Sequence, residues 1–477
     1  MRKGRTKMIA AIVTIFYIGG IIAAIDAVMT ARTAQGSVAW AVSLVSMPFL
    51  ALPAYLVLGR SKFEGMTTAY EQSKDEINQV FAEFNQNMEP WTVAAGDNPS
   101  IYKSVQKMTR LNLTHSNSVE LLINGDATFG SILDGVAKAQ DYVLFQFYMF
   151  HDDQLGRQVQ AALIERAEAG VRVFVVYDEV GSHGLPDGYM NKLRAAGVQA
   201  SAFKTTQGAR NRFQLNFRNH RKMVVVDGKT AWVGGHNVGD EYMGRDPAFS
   251  PWRDTHVKLQ GPVVLQLQAT ILGDLYWAMR QLPELNWQPE AADDGDVKAM
   301  IVPFGPSDRF ETAGLFFVTA LNSAKQRIWL SAPYFVPDEA VLKALELASL
   351  RGVDVRIITT GTPDSWPVFL AAFNYIDRLR DLDIKFYSYQ PGFLHEKVML
   401  IDDQYSTVGT PNFDNRSFRL NFEVTSLIVD EAFNQEMEAM FEADFAHAAP
   451  ISADYYEKQP FWWRLAVNLS RLAAPVL

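Results

Sequence analysis

His220-Arg-Lys222-Met-Val-Val-Val-Asp227 is followed, after six further residues, by Gly234-Gly235-His236-Asn237. The same pattern returns as His395-Glu-Lys397-Val-Met-Leu-Ile-Asp402, then Gly409-Thr410-Pro411-Asn412. The His-to-Asn spacing is 17 residues in both copies. In an extended strand, residues two apart point the same way. His220 and Lys222 therefore share a face, as do His395 and Lys397, while the apolar run behind each lysine continues into a core. The small pair lets the next turn approach closely, and the asparagine offers amide donors.

Two such segments facing each other bring together two imidazoles, two ammonium groups and two amides. That set suits one phosphodiester. One imidazole attacks phosphorus and the other protonates the leaving oxygen. Lysine and asparagine stabilise charge on the equatorial oxygens. Fixed cations thereby perform the charge stabilisation that metal ions supply elsewhere, so no metal or other cofactor is expected. A nucleophilic imidazole needs an acceptor on its second nitrogen. Asp254, 34 residues after His220, and Glu423, 28 residues after His395, are the expected orienting acids. Asp227 and Asp402 are candidate catalytic acids. Standing at strand ends, they also suit a second role, fixing the turn. His115, His151, His183, His236 and His256 are read as structural or surface residues.

The duplication extends outward from the motifs. Residues 139–148 and 324–335 each read as a helix end followed by a strand. Helical stretches at 155–169 and 340–350 follow. Each ends in a glycine, Gly170 or Gly352, that suits a helix C-cap before a β-branched strand. Such alternation indicates βαβ units and a parallel or mixed sheet. The expectation is an α/β chain of two similar lobes, 111–280 and 297–447, each a mixed sheet flanked by helices. Residues 281–296, rich in Pro, Asp and Glu, form the linker.

Two apolar runs, 8–29 and 37–58, come first, each near the ~20 residues that cross a bilayer. A transmembrane hairpin over 1–60 follows, with Pro48 and Pro53 kinking its second helix. A cleaved signal peptide and a hairpin dipping into one leaflet are the alternatives. Arg2, Lys3, Arg5 and Lys7 precede the first run and Arg60 and Lys62 follow the second, with only Arg32 between. The positive-inside rule puts both outer ends, and the catalytic region, in the cytoplasm. Residues 61–110 read as a helical connector. The tail 448–477 carries aromatics and arginines at helical spacing, which suits an interfacial helix or docking on the catalytic body. Lys204, Arg210, Arg212 and Arg218 form a basic segment for anionic headgroups or a solvated loop. Phe213, Phe217, Phe393, Phe413 and Phe418 are either a water shield or ordinary core.

A net charge of −9 argues against a nucleic-acid partner, and the absence of cysteine excludes disulfides, zinc–cysteine sites and thiol nucleophiles.

The paired motifs resemble those of the phospholipase D superfamily. The hairpin, the NHRK context and the stretches WRDTHVKLQGPVV, GFLHEKVMLIDDQYSTVGTPNFDNRSF and LNFEVT are similar to bacterial cardiolipin synthases with two N-terminal membrane segments. The likeness covers nearly the whole chain. It implies a multi-pass enzyme of the bacterial inner membrane that joins two phosphatidylglycerol molecules and releases glycerol. It implies a phosphatidyl-histidine on His220 or His395, and by analogy on His220. The catalytic set is then His220, Lys222, Asp227, Asn237, Asp254, His395, Lys397, Asp402, Asn412 and Glu423. A phospholipase D, a membrane-tethered phosphodiesterase and a lipid-binding scaffold with a retired site are the competing readings.

Overall fold

The computed structural model describes residues 2–60, 62–93, 100–208 and 211–477. The chain divides into two units, residues 1–72 with 204–218, and residues 73–203 with 219–477. Arg210 of the basic segment lies outside the described residues.

The first unit begins with α1 (Arg2–Thr30), whose stretch Gly4–Thr30 is long and apolar enough to cross a membrane. The second apolar run departs from the single kinked helix expected for 37–58. It forms α2 (Ala34–Ser46) and α3 (Pro48–Leu58), broken at Met47, where φ is −133° and ψ 55°. Pro48 has no N–H to donate and its ring forces the preceding residue out of the helical region. Pro53 is tolerated inside α3. The pieces pack on α1 through small residues. A Cβ at Gly20 would lie 2.4 Å from the Leu44 carbonyl oxygen, so only glycine permits this approach. Asp26, the one acid in the first run, accepts a 2.8 Å hydrogen bond from the Tyr55 hydroxyl. In the same unit Phe217 is buried with its ring 5.6 Å from that of Phe63.

The second unit is built on one sheet, of which fifteen strands among the described residues follow a single hydrogen-bonded path. Its seam is the antiparallel pair Thr114–Ile123 and Val297–Phe304. Outward on one side run Thr255–Gln260, Thr230–Gly234, Met223–Val226, Tyr142–Phe147, Arg172–Asp178 and Gln199–Phe203. Outward on the other run Asn421–Val429, Tyr405–Gly409, Val398–Ile401, Arg327–Ser331, Asp354–Thr360 and Ile384–Tyr389, with Ala448–Pro450 at the edge. The two halves share one strand order, so the repeat is one of topology as well as sequence. Apart from the antiparallel edge strand Ala448–Pro450, the three outer strands of each half are parallel and joined by helices such as Gln154–Glu168 and Glu339–Leu350. Gly170 and Gly352 follow those helices with φ of +92° and +83°, the left-handed geometry a C-cap glycine supplies.

Asp227 and Asp402 belong to this scaffold and take the second of the roles that their strand-end positions suit, fixing the turn. Asp227 accepts from the backbone amides of Gln140, Asp141 and Tyr142 at 2.8–2.9 Å. Asp402 accepts in the same way from Lys325, Gln326 and Arg327. Both adopt positive φ, 52° and 49°, after the strand that follows each lysine. At about 3.3 Å per residue the strand carries each aspartate roughly 16 Å beyond its lysine. Each carboxylate pins the start of a neighbouring strand, Tyr142–Phe147 or Arg327–Ser331, to the end of the motif strand. Asp227→Ala is expected to lower stability by about 1–3 kcal/mol, since amides lose their acceptor. Thermal unfolding measures this, and turnover per folded molecule should stay near wild type; loss of turnover without loss of stability would return Asp227 to the active site.

Candidate active site

Each motif histidine is tied to the opposite half of the sheet. His220 donates its backbone N–H to the Phe422 carbonyl at 2.9 Å, and His395 donates to the Arg253 carbonyl at 2.8 Å. The side chains cross in the same way. His220 Nδ1 lies 2.9 Å from both Glu423 carboxylate oxygens, and His395 Nδ1 lies 2.7 Å from Asp254 Oδ2. Asp254 and Glu423 occupy corresponding points of the repeat, as the sequence suggested, yet each orients the histidine of the other lobe. With Nδ1–H given to a carboxylate, each Nε2 keeps its lone pair for chemistry.

The two carboxylates are held differently. Glu423 also accepts from the Thr410 hydroxyl at 2.6 Å and from Asn421 Nδ2 at 3.0 Å. Asp254 accepts from the Thr255 amide at 2.8 Å and lies against Gly235, where a Cβ would stand 2.0 Å from its Oδ1. The second residue of each small pair is thus explained by the acid beside it, glycine making room and threonine donating, and the first, Gly234 or Gly409, by the close neighbouring strand at Thr255–His256 or Thr425.

Lys222 and Lys397 are buried beside the imidazoles. Lys222 Nζ donates to the His220 carbonyl at 2.6 Å and sits 5.3 Å from the Tyr148 ring centroid. Lys397 Nζ donates to the His395 carbonyl. Burial pushes His220 down to about 4, against the pull of Glu423, and the charges of Lys222 and Lys397 push the same way. Burial, then Lys397, Lys222 and His220, hold His395 well below its ordinary value. Each imidazole therefore feels both lysines, which makes the half-sites one electrostatic unit. Burial depresses Lys397 to about 8 and holds Lys222 well below its ordinary value. Burial would raise Glu423, but His220 and Lys222 outweigh it and keep the carboxylate ionised. An anion placed between them would relieve this pressure and favour protonation of one imidazole.

Asn237 and Asn412 are buried in their turns. Asn237 Nδ2 donates to the Tyr242 hydroxyl at 2.8 Å, leaving its second hydrogen for a phosphate oxygen. The Asn412 backbone amide donates to Ser417 Oγ at 3.0 Å, which fixes its turn despite Pro411.

Aromatic walls stand around the imidazoles. Tyr148 lies 4.9 Å from His220, and Trp252, Phe393 and Tyr242 lie 5.1, 5.9 and 5.9 Å from His395, ring centre to ring centre. Of the five phenylalanines named from sequence, only Phe393 is such a wall; Phe413 and Phe418 pack in the second lobe's core, Phe217 on Phe63, and Phe213 is exposed. The motif pattern does not by itself point to Tyr148, Tyr242 or Trp252. Their signal was proximity, since Trp252 stands two residues before Asp254. His236 and His256 are fully buried and meet at 3.0 Å through their Nδ1 atoms. Burial holds both down to about 3, so they are neutral packing partners behind Asp254.

The middle residue of each His-x-Lys motif also has work that the pattern left blank. Arg221 donates to Asp274 at 2.8 and 2.9 Å and, through Nε, to the Glu423 carbonyl at 3.0 Å. Its counterpart Glu396 lies 2.9 Å from Arg253, which also holds Asp444 at 2.8 and 2.7 Å. Arg253 thus joins two buried acids of the second lobe to the segment that carries Asp254. Burial raises Glu396 to about 7, against the opposing charge of Arg253.

Residues 132–246 and 317–445 match the family described as cardiolipin synthase, phospholipase D-like domain. A cardiolipin synthase A of Pseudomonas fluorescens is 48% identical over 463 residues, 96% of each chain. One from Pseudomonas putida is 46% identical, again over 96% of each. Among solved structures, a phosphatidylserine synthase of Haemophilus influenzae superposes with a TM-score of 0.58 at 13% identity, covering 79% of this chain and all of that one. A Porphyromonas gingivalis polyphosphate kinase gives 0.50 at 13% identity, over 80% of this chain and 54% of that one. Fold and site define a duplicated two-histidine enzyme of the phospholipase D class. Within that class, the chain belongs to the cardiolipin synthase family, whose members are phosphatidyl-transferring enzymes.

Two predictions test the geometry. The neutral imidazole of His220 is depressed from 6.5 to about 4, so kcat/KM, which reports the free enzyme, should hold as pH falls through 6.5 and drop only near 4. Over the same interval the fold loses stability, because unfolded histidine protonates first. Glu423→Gln should cut kcat by on the order of 10²–10⁴ with little change in KM. It should also move the acid limb lower still, because the Glu423 charge raises His220. An acid limb at 6.5 in the wild type would mean solvated imidazoles. Separately, Arg253→Met should cost about 3–5 kcal/mol in denaturant unfolding by stranding Glu396 and Asp444, whereas an unchanged midpoint would show that the network holds nothing together.

Proposed function

We propose that the enzyme transfers a phosphatidyl group from one phosphatidylglycerol to a hydroxyl of a second, giving cardiolipin and glycerol. The observation that carries this reading is the crossed pair of His–carboxylate contacts with two buried lysines, in a chain of the cardiolipin synthase family. By the analogy with the superfamily, His220 Nε2 attacks phosphorus. The P–O bond to glycerol breaks, and His395, protonated on Nε2, gives its proton to the departing oxygen. A phosphatidyl-histidine remains. His395 then takes the proton of the incoming hydroxyl, whose oxygen attacks phosphorus and releases His220. Lys222, Lys397, Asn237 and Asn412 hold the phosphoryl oxygens throughout. Tyr148, Tyr242, Trp252 and Phe393 limit water, which would otherwise turn transfer into hydrolysis.

The lipid substrates imply a membrane site. In this reading α1 crosses the bacterial inner membrane and α2 and α3 return. The cationic residues Arg2, Lys3, Arg5, Lys7, Arg60 and Lys62 then hold both ends, and the catalytic unit, on the cytoplasmic side.

Product analysis after incubation with phosphatidylglycerol vesicles tests this directly. Cardiolipin and free glycerol in equal amounts are expected from wild type, with loss of more than about 10³-fold in both His220→Ala and His395→Ala. Phosphatidic acid as the main product would make the enzyme a hydrolase and overturn the transferase reading.

A further inference from the structure

The C-terminal helix Phe461–Arg471 has two apolar faces. One is docked. Val467 is fully buried, Trp463 packs 5.1 Å from Phe373 and 6.0 Å from Tyr455, and Asn468 accepts from Asn374 at 3.1 Å. Beyond the helix, the Leu477 and Val476 carbonyls accept from the Arg416 backbone and side chain at 2.8 and 3.1 Å. The helix is therefore fixed along its length to the second lobe.

The other face is open. Phe461, Trp462, Leu465, Leu469 and Leu472 are 61, 75, 36, 56 and 76% exposed. At about 100° per residue these five side chains fall within an arc of about 100°, opposite the docked residues Trp463 and Val467. A helix held rigidly on one side needs no second apolar stripe to fold. Among the described residues of the catalytic unit, none covers this one. Residues 459–477 contain two arginines, Arg464 and Arg471, and no acidic side chain, in a chain of net charge −9. A ridge of tryptophan, phenylalanine and leucine edged by arginine is complementary to an anionic bilayer surface, where aromatic rings sit at the headgroup boundary and arginine meets phosphate.

We propose that this face is a second membrane contact, independent of α1, that lies in the interface of an anionic bilayer and holds the second lobe on it. The choice of a bilayer over a protein partner rests on the lipid-substrate reading above, and the experiment is chosen to stand apart from it. The chain has no cysteine, so single cysteines at Trp462, Leu469 and, as a water-exposed reference, Asp381 can carry an environment-sensitive fluorophore. The full chain is reconstituted in phosphatidylglycerol vesicles with and without spin-labelled lipid. Labels at 462 and 469 should emit in the blue and be quenched by the lipid spin label, and the label at 381 should do neither. This requires no turnover, so it succeeds or fails separately from the reaction assigned. Water-like emission at 462 and 469 would overturn the proposal. So would a blue shift that lipid spin labels leave unquenched and that grows with protein density, which assigns the face to a second copy. In the unlabelled enzyme, Trp462→Glu with Leu469→Glu should raise KM for lipid vesicles about tenfold with kcat retained; unchanged KM would likewise count against it.

Discussion

The contact on which the rest depends is the exchange of carboxylates across the seam. Glu423 reaches His220 and Asp254 reaches His395. Neither lobe holds a complete acid–imidazole pair of its own. The seam between Thr114–Ile123 and Val297–Phe304 is therefore a requirement of the site as well as of the fold. It also explains why the buried ion network lies where it does. Arg253, next to Asp254, pairs with Glu396 and Asp444 of the opposite lobe, and Arg221, next to His220 and paired with Asp274 of its own lobe, donates across to the Glu423 carbonyl, so contacts that lock the halves together flank the histidines.

Burial gives the site its reactivity. Two imidazoles and two ammonium groups out of water repel one another and resist protonation, which leaves neutral nitrogen available. They also form a strong attraction for a single anion. In the proposed reaction the substrate supplies the missing charge, and its arrival sets the proton inventory for attack and departure. The aromatic rings around both histidines serve the same end, because water admitted here would weaken every charge interaction and compete for the intermediate.

The two half-sites are related but unequal. Thr410 feeds the carboxylate behind His220, whereas Gly235 merely makes room for the one behind His395. Tyr148 faces one imidazole, and Trp252, Tyr242 and Phe393 surround the other. A reaction whose two histidines take different roles has no need of symmetric surroundings, and the sequence repeat, read alone, conceals this inequality.

Much of this was legible in sequence because it is local. The His-x-Lys spacing, the Gly–Asn turns, the helix–glycine–strand units and the apolar N-terminus depend on residues a few positions apart, where periodicity and residue type suffice. They determined the two-lobed α/β class and singled out the histidines and lysines that the fold brings together. The break at Met47, the scaffold role of Asp227 and Asp402, and the charge network through Arg253 were decided only in three dimensions. So was the partner of each histidine. Glu423 is 203 residues from His220, and Asp254 is 141 from His395. At such separations the sequence records that an acid exists, and only the packing of one lobe against the other decides which imidazole it can reach.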